Sequence, residues 1–397
     1  MGCGVHFFRR GIQMTARVGI AAITLLVAAF ALDAPVAAAE RARDLGIKIG
    51  RYKPGKHNAI TDVAGVRVGH ITLNSGKGKL QPGEGPVRTG ITVIMPAKGD
   101  IWYEKVNAGS FILNGNGEAT GLMWIQESGT LETPIALTNT LSVSDVHRGL
   151  IDYMLKIHPD IGISDDTVVP VVLECDDSAL NDIQGRHVKP EHVLEAIKRA
   201  KGGAVEEGAV GAGTGMMAYE FKGGIGTASR VVPEEVGGYT VGVLVNANHG
   251  ERHTLRVDGH PVGNVIQDLR PIYREDGSII VIVATNAPMD SRQLNRLSKR
   301  VMLGLARTGA IAHHWSGDVA ISFSTANRIP HYPDEPLLTI TVLSDAWLDD
   351  LFEATADAGE EAVINALLAA RTTEGRDGNT AYALPHDRLK TILKQRP

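Results

Sequence analysis

Short apolar runs separated by stretches of helical periodicity set the rhythm of this chain. Runs rich in Val and Ile at 66–73, 90–97, 167–174, 240–247, 278–285, 318–325 and 337–344 predict strands, most of them buried on both faces. Helices are predicted over 191–200, 291–309 and 345–370. In the second, Leu294, Leu297, Val301 and Leu305 fall on one face, with Asp290 placed to cap the start and Gly309 the end. Strands alternating with helices define an α/β class. No Pro/Ser linker divides the chain and no internal repeat is visible, so residues 40–397 read as one domain of layered sheets and helices.

The first 39 residues break this rhythm. Arg9, Arg10 and Arg17 precede an uncharged run from Val18 to Leu32, and small residues follow at 34–39, the pattern of a cleaved signal peptide. The run is shorter than the roughly 20 residues a membrane span needs. A mature protein starting near Glu40, exported to the periplasm, is the expectation. Removal of that segment takes Cys3 with it and leaves Cys175 alone, so no internal disulfide is available.

Composition narrows the function further. A net charge of −5 over 397 residues, with acids and bases scattered, offers no basic stripe for nucleic acid. His249 and His253 are separated by Gly250 outside any HExxH arrangement, and His313-His314 are adjacent, so neither pair suggests zinc. Gly211, Gly213 and Gly215 do not have the dinucleotide spacing, and no Lys-Ser/Thr follows them as a P-loop requires. Neither metal nor cofactor is expected.

The chemistry that remains lies at Asp276-Gly277-Ser278, directly before the apolar run SIIVIVAT. Taken alone, this string reads as a turn into a strand. A break between Gly277 and Ser278 would give it another meaning, because a terminal serine carries its own base. An α-amino group has a pKa of roughly 7.7–8.0 and can accept the hydroxyl proton near neutrality. Glu174 ends another buried run and opens the acidic string ECDDSALND, where a carboxylate at a strand end is suited to hold an ammonium. NGNGEATG, at 114–121, reads only as an elaborate loop.

Together these strings resemble the DmpA-type L-aminopeptidase/D-esterase-amidases and the related β-peptidyl aminopeptidases. The resemblance rests on NAITDVAGVRVGHITL (58–73), RTGITVIMP (88–96), NGNGEATG (114–121), ESGTLETPIALTNT (127–140), LNDIQGRHV (180–188), the glycine clusters within 208–226, VGVLVNANHG (241–250) and GSIIVIVATNAP from Gly277. It covers nearly the whole chain after residue 40. It implies a four-layer αββα sandwich like that of N-terminal-nucleophile hydrolases but differently connected. It further implies self-cleavage at Gly277-Ser278 into residues 40–277 and 278–397, of roughly 25 and 13 kDa by residue count, and assembly as a homotetramer of cleaved protomers.

By the same resemblance Ser278 is the nucleophile, and Ser316 with Asp318 relays or orients its proton. Asn248 donates to the oxyanion, with Asn246 as the alternative two residues earlier, and Glu174 holds the substrate's free amino group. The family often has Glu where this chain has Asp318, which leaves open whether that acid meets Ser316 directly or through water. After Glu174, Cys175, Asp176 and Asp177 replace the family's Thr and aromatic residue, removing an aromatic hydroxyl and adding acid near the amine pocket. The implied activity is removal of N-terminal β-amino acids from short peptides, amides and esters. The broader L-aminopeptidase/D-amidase activity, an ornithine-acetyltransferase-like acyl transfer and a non-catalytic binding role are the alternatives.

Overall fold

The structure is a computed structural model, and the residues described are 40–273 and 277–395. The signal peptide expected over 1–39 lies outside them. The strands of the two main sheets are β1 (Arg67–Ser75), β2 (Val87–Met95), β3 (Glu104–Gly115), β4 (Thr130–Leu131), β5 (Ile135–Thr138), β6 (Val171–Glu174), β7 (Gly224–Val231), β8 (Thr240–Asn248), β9 (Ser278–Thr285) and β10 (Gly317–Pro330). The helices that cover them are α1 (Val143–Ile157), α2 (Pro190–Arg199), α3 (Ser291–Arg307) and α4 (Asp349–Ala369).

A four-stranded sheet runs β1-β2-β5-β6 and a six-stranded sheet runs β4-β3-β10-β9-β8-β7. Three apolar layers hold them. Ile94, Leu137 and Leu173 from the small sheet meet Leu244, Ile280, Ile282 and Ile321 from the large one. On the outer side of the large sheet, Ile279, Val281 and Val283 pack against Leu294, Leu297 and Val301 of α3 and Val363 and Leu367 of α4. Outside the small sheet, Val93 and Val172 pack against Val146 and Leu150 of α1 and Val193 of α2. The order is helices, sheet, sheet, helices, the αββα arrangement expected.

The strand SIIVIVAT is buried on both faces because it lies at the centre of the large sheet between two such layers. Burying one Val or Ile side chain is worth about 1.5–3 kcal/mol, so this strand anchors the sheet that carries it. It pairs antiparallel with β8 and parallel with β10. The start of β9, the start of β10 and the end of β8 therefore meet at one edge. The helix α3 begins as its sequence indicates: Gln293 N–H donates to Asp290 Oδ1 at 2.7 Å, and Asp290 N–H donates back to Gln293 Oε1 at 3.3 Å. The run 337–344, expected to be a strand, forms no regular element and belongs to neither sheet, with Leu337 85% exposed.

Candidate active site

Ser278 opens β9 opposite two residues, Asn248 at the end of β8 and Gly317 at the head of β10. Its hydroxyl is buried and has no hydrogen-bond partner among the described residues. The residue before it has no room for a side chain. A Cβ on Gly277 would lie 2.3 Å from the Asn248 carbonyl oxygen and 2.4 Å from the His249 Cα. Glycine is there because two backbones touch.

Asn248 has a fixed orientation. Its Oδ1 accepts from the Met217 N–H at 2.7 Å and its Nδ2 donates to the Asp176 carbonyl at 2.8 Å. An amide nitrogen carries two hydrogens, so one remains on the side of the sheet that Ser278 shares. Asn246, the alternative donor, sits deeper, opposite Ile280, fully buried and with neither amide atom bonded among the described residues. The register gives Asn248, not Asn246, to Ser278. The segment that supplies Met217 is held from below by Lys222, whose buried Nζ donates to the carbonyls of Gly213, Met216 and Gly223 at 2.8–2.9 Å. Burial pulls that lysine down to about 7.

Ser316 and Asp318 flank Gly317, and the Ser316 hydroxyl donates to Asp318 Oδ1 at 2.7 Å. The contact is direct, which answers the question raised by the shorter acid. Both residues are buried, and Asp318 Oδ2 has no partner among the described residues. Burial pushes the Asp318 carboxyl up to about 6, although the Ser316 hydroxyl and His313 pull the other way.

Glu174 ends β6 in the other sheet. Its Oε1 accepts from the Glu118 N–H at 2.9 Å and its Oε2 from the Thr140 hydroxyl. Burial raises its pKa against those two donors. The next residue, Cys175, connects the sheets: its thiol donates to the Asn246 carbonyl at 3.6 Å and lies beside the Ser278 hydroxyl. Glu174 is thus one residue removed from a neighbour of the nucleophile. The two acids after it differ. Asp176 lines the cleft beside Asn248, whereas Asp177 is fully buried, accepts from Asn181 Nδ2 at 2.9 Å and is pushed up to about 7 by burial.

The loop NGNGE turns out to be the brace between the acids. Asn114 Nδ2 donates to the His313 carbonyl at 2.6 Å and Asn116 Nδ2 to the Trp315 carbonyl at 2.5 Å, which fixes the approach to Ser316. One residue on, a Cβ at Gly117 would stand 2.6 Å from Glu174 Oε1. Asn114, Asn116, Thr140 and Lys222 were not singled out from sequence. The density of Asn and Gly at 114–117 was the available signal, because such residues bond and approach backbone more often than they pack.

A narrow cleft at this edge is lined by Asp176, Met217, Asn248, His249 and Gly277, with about 10 Å³ of free space, near the size of one water. A wider hollow of about 510 Å³, lined by Thr120, Thr140, Leu141, Val143 and His147, opens beside the Thr140 that bonds Glu174. Among the described residues no cluster of His, Cys, Asp and Glu is arranged to hold a metal, and no helix is long and apolar enough to cross a membrane.

A buried strand-head serine in a layered α/β fold, with amide donors and carboxylates gathered from both sheets, defines a serine hydrolase of the N-terminal-nucleophile type. The comparisons agree. Residues 58–381 match the model of Peptidase family S58. The chain is 44% identical over 370 residues to the beta-peptidyl aminopeptidase BapA of Sphingosinicella microcystinivorans, covering 89% of this chain and 92% of that one. Among solved structures it matches the PH0078 protein of Pyrococcus horikoshii OT3 at TM-score 0.86 and 56% identity, covering 89% of this chain and 99% of the other. It also matches the L-aminopeptidase D-Ala-esterase/amidase of Ochrobactrum anthropi at TM-score 0.83 and 40% identity, over 89% and 98%; that enzyme is described as a prototype serine aminopeptidase and a new variant of the Ntn hydrolase fold. The chain belongs to Peptidase family S58 and is a serine aminopeptidase.

Proposed function

We propose that this chain is an exported β-peptidyl aminopeptidase that matures by cutting itself between Gly277 and Ser278. In maturation Ser278 Oγ adds to the Gly277 carbonyl carbon, the C–N bond breaks as the acyl group passes to oxygen, and water hydrolyses the ester. The products are a Gly277 carboxylate and a free α-amino group on Ser278.

In turnover that amine takes the Ser278 hydroxyl proton as the oxygen attacks the substrate carbonyl, and it returns the proton to the departing amine. The remaining Asn248 Nδ2 hydrogen faces the oxyanion, a donor whose loss typically costs about 10²–10³ in rate. Ser316 and Asp318 orient the amine. Glu174 receives the substrate's free ammonium, which limits the enzyme to the first residue of a chain. Water then releases the acyl group. The substrates are short peptides, amides and esters with a free amino group, and the working form is a homotetramer of cleaved protomers in the periplasm.

The observation that carries this reading is the wedge at Gly277, where the peptide before a buried, unbonded serine is pressed against the Asn248 carbonyl with no space for a Cβ. The β-amino-acid preference is supported by the similarity to BapA and by the loss of the family's Thr-aromatic pair at Cys175-Asp176. A second reading, an L-aminopeptidase with D-amino-acid esterase and amidase activity, is supported by the likeness to the O. anthropi enzyme. Intact mass measurement with N-terminal sequencing tests maturation: two fragments, the smaller beginning Ser-Ile-Ile-Val, are expected, and an active full-length chain would sink it. Comparing hydrolysis of β-alanyl and L-alanyl p-nitroanilides then separates the two substrate readings.

A further inference from the structure

His249 lies beside the scissile peptide, level with Gly277, yet the reaction outlined above gives it nothing to do. Its hydrogen bonds determine which ring nitrogen carries the proton. The Thr308 hydroxyl donates to the Leu305 carbonyl at 2.7 Å, so its oxygen is left to accept from the Tyr219 hydroxyl, also at 2.7 Å. With that proton committed, Tyr219 Oη can only accept from His249 Nε2 at 3.2 Å. His249 is therefore the Nε2–H tautomer, and Nδ1 carries a bare lone pair. Burial supports the neutral ring by holding its pKa down to about 3, with His313 adding to the effect.

Nδ1 is buried and has no partner among the described residues. Asp318 Oδ2, on the other flank of Ser278, is the same: buried, an acceptor, and unbonded. Buried acceptors without donors are rare in native proteins, and here two of them bracket one residue. Both residues are associated with the outer side of the large sheet. Asp318 is level with Ile279, whose side chain belongs to the outer apolar layer, and the His249 ring stacks edge-on against Tyr219 of the same layer, with centroids 5.0 Å apart. Neighbouring strands are about 4.8 Å apart, and the two acceptors are carried by the strand on one side of Ser278 and by the residue that follows the strand on the other.

We propose that His249 Nδ1 and Asp318 Oδ2 are acceptors held in reserve for the α-ammonium that self-cleavage creates on Ser278, and that His249 is a positioning residue of the mature nucleophile. The proposal rests on the maturation reading. Hydrolysis of the Gly277-Ser278 peptide consumes one water and turns an amide nitrogen with one hydrogen into an ammonium with three, alongside a Gly277 carboxylate. The new hydrogens need acceptors in a buried place, and Ser316 Oγ, Asp318 Oδ2 and His249 Nδ1 supply them. The charged and titratable groups that face this cradle are Asp318 and His313 from β10 and its approach, Tyr219 and Glu220 from the turn beneath, Asp176 and Cys175 after β6, and Glu251 after β8, which contacts His313 at 3.6 Å.

Two substitutions separate the ring's two nitrogens. His249→Asn keeps an acceptor near the Nδ1 position and loses the reach to Tyr219, whereas His249→Gln keeps a donor for Tyr219 and loses the Nδ1 acceptor. The readout is the pH dependence of kcat and kcat/KM on β-alanyl p-nitroanilide, after sequencing has shown a small fragment starting at Ser278. Losing an acceptor destabilises the ammonium, lowers the amine pKa and lets the free base persist to lower pH. His249→Gln is expected to move the acid limb down by about half a unit or more and to lower kcat about tenfold with KM within about twofold. His249→Asn should keep the wild-type limb. A His249→Gln enzyme with the wild-type limb and kcat, or limbs that move equally in both variants, overturns the proposal.

A crystal structure of processed wild type decides the matter if a variant does not fold. Ser278 N within about 3.2 Å of His249 Nδ1 is expected; a water or an empty gap between them overturns it. A wild-type chain that stays whole removes the maturation reading itself, and mass measurement reveals that before any pH profile is taken.

Discussion

Two buried carboxylates stand at strand ends in this site, and they are dressed differently. Glu174 has a donor on each oxygen, the Glu118 N–H and the Thr140 hydroxyl, and it arrives from the small sheet. Asp318 has one donor, the Ser316 hydroxyl, and an oxygen left bare, and it belongs to the same sheet as the nucleophile. Both have pKa values raised by burial. A carboxylate with both oxygens fixed is a rigid receptor for a cation that comes and goes. One with an oxygen to spare is poised for a proton or ammonium generated beside it. Under the proposed function, that difference divides binding and chemistry between the two sheets.

The largest test removes what the two acids share. Ser278→Ala should remain full length on a denaturing gel and lose at least about 10³ of kcat/KM; residual activity near wild type would mean that neither acid serves Ser278. The next separates them. Glu174→Gln should process normally and raise KM by about 10–100-fold, the equivalent of one charge-assisted hydrogen bond of 1.5–3 kcal/mol. Asp318→Asn should instead lower kcat by about 10² with little change in KM. If both substitutions move the same parameter, the division of labour is wrong.

The smallest effect is on stability, and it concerns Asp318 alone. Its carboxyl titrates near 3.8 when unfolded and at about 6 when folded. A raised folded pKa gives a contribution that is fully present below 3.8 and lost as pH climbs through about 6. In a Ser278→Ala background, Asp318→Asn should therefore be more stable than its parent at pH 8 by about 1–3 kcal/mol, with the gap closing towards pH 4. Urea unfolding at both values measures this. A variant less stable at pH 8 would show that the ionised carboxylate is better solvated than its bare oxygen suggests.

Much of this was legible in the chain, and what was missed has physical causes. SIIVIVAT and VGVLVNA announced central strands because both faces of each are apolar; the head of the first and the end of the run at 167–174 pointed to Ser278 and Glu174, while Asn248 came from the resemblance alone. The direct bond from Ser316 to Asp318 needed coordinates, since a spacing of two along a strand fixes the side but not the contact. Strand β7 was hidden in a glycine cluster. A Cβ on Gly226 would fall 2.0 Å from the Ala362 carbonyl, so the position that meets α4 most closely carries no apolar signal at all. Strand β3 was missed likewise: a Cβ on Gly109 would fall 2.6 Å from the Asn295 nitrogen at the face of α3. The opposite error, LLTITVLS, has the composition of a strand but finds no neighbour in either sheet, with Leu338 51% and Val342 40% exposed. Strand propensity describes a surface that fits a sheet; pairing must still be available.

The position of the Gly277-Ser278 bond has one more consequence. It falls between adjacent strands in the interior of the large sheet, so a cut there leaves β9 paired with β8 of the first fragment and β10 paired with β3 of the same fragment. The two polypeptides would be interleaved like the fingers of clasped hands, and neither could depart without opening the sheet. On the proposed maturation, folding would come first and scission second, and a processed enzyme once denatured would face a bimolecular search that the uncut chain never has to make.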